Sequence, residues 1–349
     1  MHEKDSNGLR WRLASEETVP DTLFDPEEHV AHHVGVGAYR GLEFYEVNAK
    51  RVINRVPAAS RMPFQFTINA YRGCSHACSY CFARPTHAYL GLGIGEDFDR
   101  RIVVKVNAVE RARGELFSSR WSGAHIAMGT NTDPYQKAEG KYHLTKGLIG
   151  VLAERANPFS ILTKSTLVLR DIDLLVEAAA RTDVQLNLSI GTLDREIARL
   201  VEPGTPPPAQ RVEAVRRLNE RGISCGVLIA PVIPGLSDDE EHLEAVAAAC
   251  RDAGAVSATA IALHLRPGVH QHFFEFLDRE RPDLVELYER RFSGRAYQPK
   301  AEQARVTEIV QRVFGRSHAA RPRRGVPAPS APEQVAPLSE QLGLFSRTG

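Results

Sequence analysis

The sequence contains no run of about eighteen apolar residues, the shortest stretch that a membrane-spanning helix needs. Its first residues, MHEKDSNGLRWRL, have neither the apolar centre of a signal peptide nor the amphipathic, Arg-rich and Ser-rich character of a transit peptide. We therefore expect a cytoplasmic protein without a membrane partner.

An excess of charge of one sign is also absent. The chain has 44 Lys and Arg residues against 43 Asp and Glu residues, which gives a formal net charge of +1. A protein that attracts polyanions through its overall field carries a clear positive excess. Any surface that binds nucleic acid must therefore be local.

Cysteine is scarce, with five residues in 349, yet three of the five fall within residues 69–81 (NAYRGCSHACSYC). Cys74, Cys78 and Cys81 follow the spacing CxxxCxxC. Thiolate sulfur is the usual protein ligand of iron–sulfur clusters. Three thiolates would hold three corners of a [4Fe-4S] cube and leave the fourth iron free to bind a substrate or cofactor.

Two other interpretations of the three cysteines are a disulfide and a structural zinc site. A disulfide is disfavoured because Cys225 and Cys250 are far away in sequence and an oxidising compartment is not indicated. A structural zinc site completed by His76 or His87 stays open, although such sites usually pair cysteines in two separate knuckles.

Short β-branched or aromatic runs alternate with longer amphipathic runs from Pro63 onwards, which is typical of βα units and a parallel sheet. Strands are predicted at about 64–70, 124–129, 159–163, 184–190, 224–230 and 256–263. Helices are predicted at about 143–155, 171–181, 209–221 and 238–252. The fold class is therefore α/β, a partial (β/α)6 relative of the TIM barrel.

The predicted domain organisation has four parts. Residues 1–60 form an N-terminal extension, and residues 61–295 form the core barrel with an insertion at 85–122. A C-terminal helix follows at 296–316. The tail at 317–349 is rich in Ala, Pro, Arg and Ser, and we expect it to be disordered.

Polar residues follow the predicted strands at the end where, in parallel α/β barrels, functional groups gather. The cysteine loop follows the first strand, and a turn with Gly129 and Asp133 follows the second. Lys164 follows the third strand, and Ser189 ends the fourth. We expect these groups to converge on one site.

The cysteine loop resembles the signature of the radical S-adenosylmethionine (SAM) superfamily, CxxxCxΦC, with Tyr80 at the aromatic position Φ. Further motifs resemble the spore photoproduct lyase-like branch, in a form similar to its actinobacterial group, over residues 63–291. These motifs are TDPYQ at 132–136, TKS at 163–165, RDIDLL at 170–175, VEPGTPPP at 201–208 and APVIPGLSD at 230–238.

The resemblance implies a radical SAM enzyme with a [4Fe-4S] cluster and SAM as cofactors. In that family SAM chelates the open iron, and one electron cleaves it to give a 5'-deoxyadenosyl radical. The electron would come from an external donor of the flavodoxin or ferredoxin type.

The resemblance also implies roles for individual residues. Cys74, Cys78 and Cys81 would bind the cluster. Tyr80 would pack by the adenine, and the turn Gly129, Thr130 and Asn131 would meet the SAM amino group. Asp133 would offer an acceptor, and Lys164 and Ser189 would face the carboxylate or the ribose.

One departure from the family pattern concerns the hydrogen donor. Spore photoproduct lyase uses a cysteine after the cluster to donate hydrogen to the repaired thymine, whereas this chain has none between Cys81 and Cys225. This argues against photoproduct repair. Tyr135 could relay a hydrogen atom instead, but nothing in the sequence requires it.

Two further features bear on partners and substrate. The tail segment QLGLF resembles the sliding-clamp-binding pentapeptide, with Gln341, Leu342, Leu344 and Phe345 as anchors; alternatively, the tail folds onto its own domain. After the sixth strand, His264, Arg266, His270 and His272 either line the barrel mouth or are solvated loop residues.

The function best supported by the sequence is radical chemistry on a nucleic acid, either a DNA lesion or a modified base. One alternative is the same chemistry on a small molecule or peptide. Another is a non-catalytic, clamp-associated adaptor whose cysteines hold a metal.

Overall fold

A computed structural model describes residues 31–57, 60 and 62–315. The predicted tail at 317–349, including the QLGLF segment, lies outside the described residues, as do the first thirty residues of the predicted extension. The domain boundaries stay a prediction.

Eleven strands are present in the described part of the chain. They are β1 (Ala31–Val34), β2 (Glu43–Val47), β3 (Ile53–Arg55), β4 (Phe66–Ile68), β5 (Tyr71–Arg72), β6 (Arg101–Lys105), β7 (Ile126–Met128), β8 (Phe159–Thr163), β9 (Val184–Ser189), β10 (Ser224–Val232) and β11 (Ala258–Ala262).

Eleven α-helices are present over the same described residues. They are α1 (Glu96–Arg100), α2 (Ala108–Leu116), α3 (Glu139–Tyr142), α4 (Leu144–Glu154), α5 (Ile172–Arg181), α6 (Arg195–Val201), α7 (Pro208–Glu220), α8 (Glu240–Asp252), α9 (Val269–Glu280), α10 (Val285–Phe292) and α11 (Lys300–Phe314).

The larger sheet has seven strands in the order β11-β10-β9-β8-β7-β4-β3. Neighbours from β4 to β11 pair in parallel, and β3 adds an antiparallel edge strand against β4. The six parallel strands are the six predicted ones, with ends that differ by at most two residues. The α/β partial barrel is therefore confirmed.

The helices between these strands begin where the sequence supplies caps. The side chain of Asp239 accepts a hydrogen bond from His242 N at the start of α8, and Asp194 does the same for Glu196 N at the start of α6. Ser165 caps a short 3-10 turn by accepting from Leu167 N. Such caps satisfy backbone donors that have no partner inside the helix.

A smaller sheet in the order β1-β2-β6-β5 joins the region before the barrel to the predicted insertion. The insertion strand β6 pairs in parallel with β2 and antiparallel with β5. Because β5 lies immediately before the cysteines, this sheet fixes one end of the cysteine loop.

The main hydrophobic core lies between the larger sheet and its helices, and it includes Cys225 and Cys250, both fully buried. These two cysteines are packing residues. A second cluster joins Cys78 and Tyr80 to Phe273 and Phe276 of α9. The aromatic side chains of α9 therefore pack beside the cysteine loop.

Candidate active site

The cysteine loop turns sharply after β5 because Gly73 has a left-handed backbone, with φ of +78°. A Cβ atom at this position would lie 2.8 Å from the carbonyl oxygen of Phe98. The residue must therefore be glycine. Cys74 and Cys78 are buried and Cys81 is half-buried.

A cavity opens beside this loop at the carboxyl ends of the parallel strands. It is lined by every residue that was predicted for the site: Cys74, Cys78, Tyr80, Cys81, Gly129, Thr130, Asn131, Asp133, Lys164 and Ser189. The strand ends thus bring together side chains that are up to 115 positions apart in the chain, Cys74 and Ser189 being the extremes.

The cavity has the donors that an iron–sulfur cluster requires. Burial raises the pKa of the Cys74, Cys78 and Cys81 thiols above the ordinary value, so a bound cation is needed to hold them as thiolates. Over the described residues, no three His, Cys, Asp or Glu side chains are grouped to hold one metal ion. This is compatible with a cube, whose cysteines bind different iron atoms.

The two histidines that could complete a zinc site are engaged elsewhere. His76 Nδ1 lies 3.3 Å from Asp133 Oδ2. His87 Nε2 is 3.0 Å from the carbonyl oxygen of Arg101, and its ring packs edge-on against Phe98. The three thiols therefore fit an iron–sulfur cluster better than a structural zinc ion.

Lys164 reaches into the cavity from the end of β8. Its Nζ atom lies 2.5 Å from Ser189 Oγ and 3.4 Å from the carbonyl oxygen of Ala230. The ammonium also lies 5.7 Å from the centre of the Tyr80 ring. A cation in this position can bind a carboxylate group in the cavity through a charge-assisted hydrogen bond.

Glu202, which is buried beside the cavity, forms an ion pair with this cation. Its Oε1 atom is 3.3 Å from Lys164 Nζ, and its Oε2 atom is 2.6 Å from Arg211 Nη1. The Tyr80 hydroxyl donates a hydrogen bond to the same carboxylate. Burial alone would raise the pKa of Glu202, but the charges of Lys164 and Arg211 lower it to about 2.

Asp133 ties three elements together. Its carboxylate accepts hydrogen bonds from Thr163 Oγ1 at 2.6 Å and Lys164 N at 2.7 Å, and it contacts His76 in the cysteine loop. Although burial opposes ionisation, His76 and these donors hold the pKa of Asp133 below its ordinary value. The carboxylate lines the cavity, but its oxygens are occupied by the protein.

The turn after β7 depends on Gly129, whose φ is +91°. A Cβ atom there would lie 2.0 Å from the carbonyl oxygen of Leu162. Asn69 fixes the turn by donating to Thr130 Oγ1 at 3.1 Å and accepting from Asn131 N at 3.2 Å. The turn is therefore held against the start of the cysteine loop.

The VEPGTPPP segment supports the cysteine loop from the other side. Ser79 N donates to the carbonyl oxygen of Val201 at 3.0 Å, and Gly204 N donates to that of His76, also at 3.0 Å. A Cβ atom on Gly204 would lie 2.0 Å from the carbonyl oxygen of Ser75. The close approach of the two backbones therefore needs glycine.

The residues after the sixth strand do not form one set. His264 lines the cavity, and Arg266 contacts Tyr297 at its outer side. His270 instead stacks on Phe274, with ring centroids 4.3 Å apart. His272 lines a separate groove of about 790 Å³. Two alternatives were open for these four residues, and the cavity lining includes only His264, while His270 and His272 lie in α9.

The sequence did not reveal Glu202, Arg211 or Gln136 as parts of the site. The Gln136 side chain accepts from Ser75 N at 3.0 Å and donates to the carbonyl oxygen of Gly73 at 2.9 Å. Glu202 lies in the VEPGTPPP motif and Gln136 lies in the TDPYQ motif. Arg211 lies inside an ordinary amphipathic helix pattern, and nothing in that pattern indicates a functional role.

Tyr135 is buried in the main core and is not among the residues lining the cavity.

Three cysteines from one loop line a cavity at the carboxyl ends of six parallel strands, an arrangement that fits a cluster-binding barrel enzyme. Comparison with known families agrees with this class. Residues 68–246 match the model of the radical SAM superfamily. The chain belongs to this superfamily, which implies SAM and an iron–sulfur cluster as cofactors.

Two relatives extend the similarity. The uncharacterized protein Rv2578c of Mycobacterium tuberculosis is 43% identical over 300 residues, which cover 86% of this chain and 87% of the relative. The uncharacterized protein MJ0683 of Methanocaldococcus jannaschii is 32% identical over 201 residues, which cover 57% of this chain and 71% of the relative. The mycobacterial relative agrees with the expected actinobacterial resemblance.

Among solved structures, spore photoproduct lyase complexed with dinucleoside spore photoproduct has a similar fold. The TM-score is 0.57 at 18% identity, over 78% of this chain and 80% of that chain. The expected likeness to this lyase is confirmed at the level of the fold. No helix in residues 31–57, 60 and 62–315 is long and apolar enough to cross a membrane.

Proposed function

We propose that this radical SAM enzyme holds a [4Fe-4S] cluster on Cys74, Cys78 and Cys81 and acts on a nucleic acid, either a DNA lesion or a modified base. The observation that carries the first part is the single cavity that joins the three thiols to Lys164 and Ser189. When bound, the cluster supplies one electron to SAM and so gives access to a 5'-deoxyadenosyl radical.

The residues of the chain bind and orient the cofactor. The Lys164 ammonium would donate a hydrogen bond to the SAM carboxylate or ribose, and the Ser189 hydroxyl would face the same groups. Gly129 lets the turn pack against the Leu162 backbone. The turn with Thr130 and Asn131 would meet the SAM amino group. Tyr80 keeps Glu202 in place by its hydrogen bond, besides lining the cavity.

A closed site keeps competing hydrogen-atom donors away from a carbon radical. Part of the cavity lining is apolar and includes Leu228, Pro231, Ile261 and Leu263. These side chains come from the last two strands of the larger sheet and their ends. They lower the local dielectric and strengthen the hydrogen bonds from Lys164.

The nucleic-acid substrate is supported by the similar fold of a lyase that has been seen with a dinucleoside lesion. The missing cysteine between Cys81 and Cys225 argues for a reaction other than thymine photoproduct repair. We leave the hydrogen donor unassigned, since the Tyr135 hydroxyl belongs to the buried core.

Deuterium transfer tests the substrate class. The reconstituted enzyme, supplied with reductant and SAM that carries deuterium at the 5' carbon, is incubated separately with DNA, RNA and a metabolite extract. The radical should take a protium atom from the nucleic acid into 5'-deoxyadenosine. Where the hydrogen atom is later returned, deuterium should appear in the nucleic-acid fractions. Exchange with the metabolite extract alone would contradict the proposal.

Two partner proposals follow from the sequence. A flavodoxin or ferredoxin would supply the electron in the cell. We propose that the protein is cytoplasmic.

The QLGLF segment, with Gln341, Leu342, Leu344 and Phe345, would bind a sliding clamp. A labelled tail peptide titrated with clamp should bind, and a peptide with Leu344→Ala and Phe345→Ala should not; equal weak binding by both peptides would contradict it.

A further inference from the structure

Three aromatic rings form a row at the mouth of the cavity. The Phe82 and His264 rings have centroids 6.2 Å apart at an interplanar angle of 31°. The His264 and Tyr297 rings are 5.4 Å apart at 18°, which is a stacked arrangement. Phe82 and His264 line the cavity, and Tyr297 continues the row outwards.

The ends of this row are open to solvent. Phe82 is 47% exposed and Tyr297 is 48% exposed, while most other large aromatic side chains of the described chain are buried. Exposed aromatic rings grouped at the mouth of a cavity are typical of binding sites.

The row is held in place by the backbone. Residues 264 and 297 form an antiparallel bridge, and Leu265 N donates to the carbonyl oxygen of Ala296 at 2.8 Å. The side chain of Gln298 donates to the carbonyl oxygen of Leu263 at 3.2 Å. Because these bonds fix the backbone at Tyr297 and its ring stacks on His264, stacking on it loses little conformational freedom.

A cation lies beside the rings. Arg266 is exposed and donates a hydrogen bond from Nη2 to the Tyr297 hydroxyl at 3.1 Å. Among the described residues no acidic side chain forms a salt bridge with it. Planar rings next to a positively charged guanidinium match a nucleotide, which presents an aromatic face and a phosphate.

From this geometry we infer that Phe82, His264 and Tyr297 form a stacking platform for the bases of a single-stranded or locally opened nucleic acid. The inference rests on the proposed function, since it names the surface that would present the substrate to the radical. A base inside an intact duplex exposes no face, so the target must be unstacked before it meets such rings.

The two ends of the platform have different roles. Phe82 directly follows Cys81 and lines the cavity, so its open face would receive the base on which the reaction takes place. Tyr297 stands outside the cavity, so its open face would receive a neighbouring base, and Arg266 would contact the phosphate near it. Binding should therefore favour an oligonucleotide over a single nucleoside.

Fluorescence anisotropy of the full-length, cluster-reconstituted protein with fluorescein-labelled decathymidylate tests the platform under anaerobic conditions. Tyr297→Ala should raise the dissociation constant at least about fivefold, since stacking on one aromatic ring contributes about 1–3 kcal/mol per base. Tyr297→Phe should keep near-normal binding because it keeps the ring. Tyr89→Ala is the matched control, because Tyr89 is a 74% exposed tyrosine that is not part of the row.

The platform would be contradicted if Tyr297→Ala and Tyr89→Ala bound decathymidylate as the wild type does, or if the wild type bound a duplex better than the single strand. Release of 5'-deoxyadenosine by the wild type is measured in parallel. Release without decathymidylate binding would overturn the platform and leave the SAM chemistry intact, whereas binding without release would overturn the proposed function instead.

Discussion

At the scale of single residues, Glu202 is the buried carboxylate that compensates the positive charges of Lys164 and Arg211. It is buried with Lys164 on one side and Arg211 on the other, and Tyr80 donates a hydrogen bond to it. Removing one member of such a group leaves a charge in the interior without compensation, which costs far more than losing an exposed pair.

The first prediction follows from this arrangement. Glu202→Gln should lower the free energy of unfolding of the apoprotein by about 3–5 kcal/mol, measured by urea denaturation at neutral pH. Glu213→Gln is the matched control, since Glu213 pairs with Arg216 at the surface of α7. The control should leave the urea midpoint almost unchanged. Equal midpoints for the two variants would contradict the role of Glu202.

The pKa of Glu202 also predicts a pH dependence. The folded pKa of about 2 is below the ordinary value of 4.5, so the unfolded chain takes up the proton first. The stabilisation of about 3 kcal/mol is therefore complete above pH 4.5 and is lost as the pH falls towards 2. The stability difference between wild type and Glu202→Gln should shrink over this range. A constant difference would show that Glu202 is not ionised in the folded protein.

At the scale of elements, the VEPGTPPP segment and the cysteine loop act as one unit. The backbone of Gly204 is so close to that of Ser75 that a methyl group cannot be placed between them. Two backbone hydrogen bonds, from Ser79 N to the Val201 carbonyl and from Gly204 N to the His76 carbonyl, join the same segments. The shape of the cluster site thus depends on a segment more than 120 residues further along the chain.

Gly204→Ala should therefore displace the cysteine loop, destabilise the protein by about 1–3 kcal/mol and lower the iron content after reconstitution. Gly150→Ala is the control, because Gly150 lies inside α4 with no atom within 4 Å of the added Cβ. The control should be stabilised by about 0.5–1 kcal/mol and bind iron normally. Full iron binding by Gly204→Ala would refute the proposed support.

Local pattern explains how much of this structure the sequence predicts. The six parallel strands and the helices α4, α5, α7 and α8 come from runs whose apolar period is visible within ten or fifteen residues. The cysteine triad is likewise contained in one loop. The position of each polar residue after a strand then follows from the parallel arrangement.

Contacts between distant segments explain what the sequence did not predict. Tyr80 and Glu202 are 122 residues apart, and nothing near either residue indicates the other. The pairing of β2 with β6 in the smaller sheet joins segments more than fifty residues apart, which local alternation within either segment does not indicate. The Phe82, His264 and Tyr297 row likewise forms only after folding.

At the scale of the whole molecule, the near-zero net charge limits how nucleic acid can bind. With 44 basic and 43 acidic side chains, no general attraction acts over the surface. Binding would then rely on stacking at the platform, with a small number of phosphate contacts that include Arg266.

Salt dependence tests this balance. Each phosphate contact with a single strand contributes about −0.7 to the slope of log K against log salt concentration. We expect a shallow slope, of about −1 to −2, for decathymidylate, and Arg266→Gln should reduce its magnitude by about 0.7. Anisotropy titrations over a range of salt concentrations measure it. A steep slope would show that an extended basic surface, rather than the platform, dominates binding.

The central claim is that the cysteine loop and the adjoining cavity form a working site for SAM cleavage. The most direct measurement is anaerobic reconstitution with iron and sulfide, followed by dithionite and SAM and quantification of 5'-deoxyadenosine. We predict an iron–sulfur absorbance and release of the nucleoside by the wild type and by Cys225→Ala, and neither by Cys78→Ala. A wild-type protein that binds zinc stoichiometrically, forms no cluster and releases no 5'-deoxyadenosine would contradict the account.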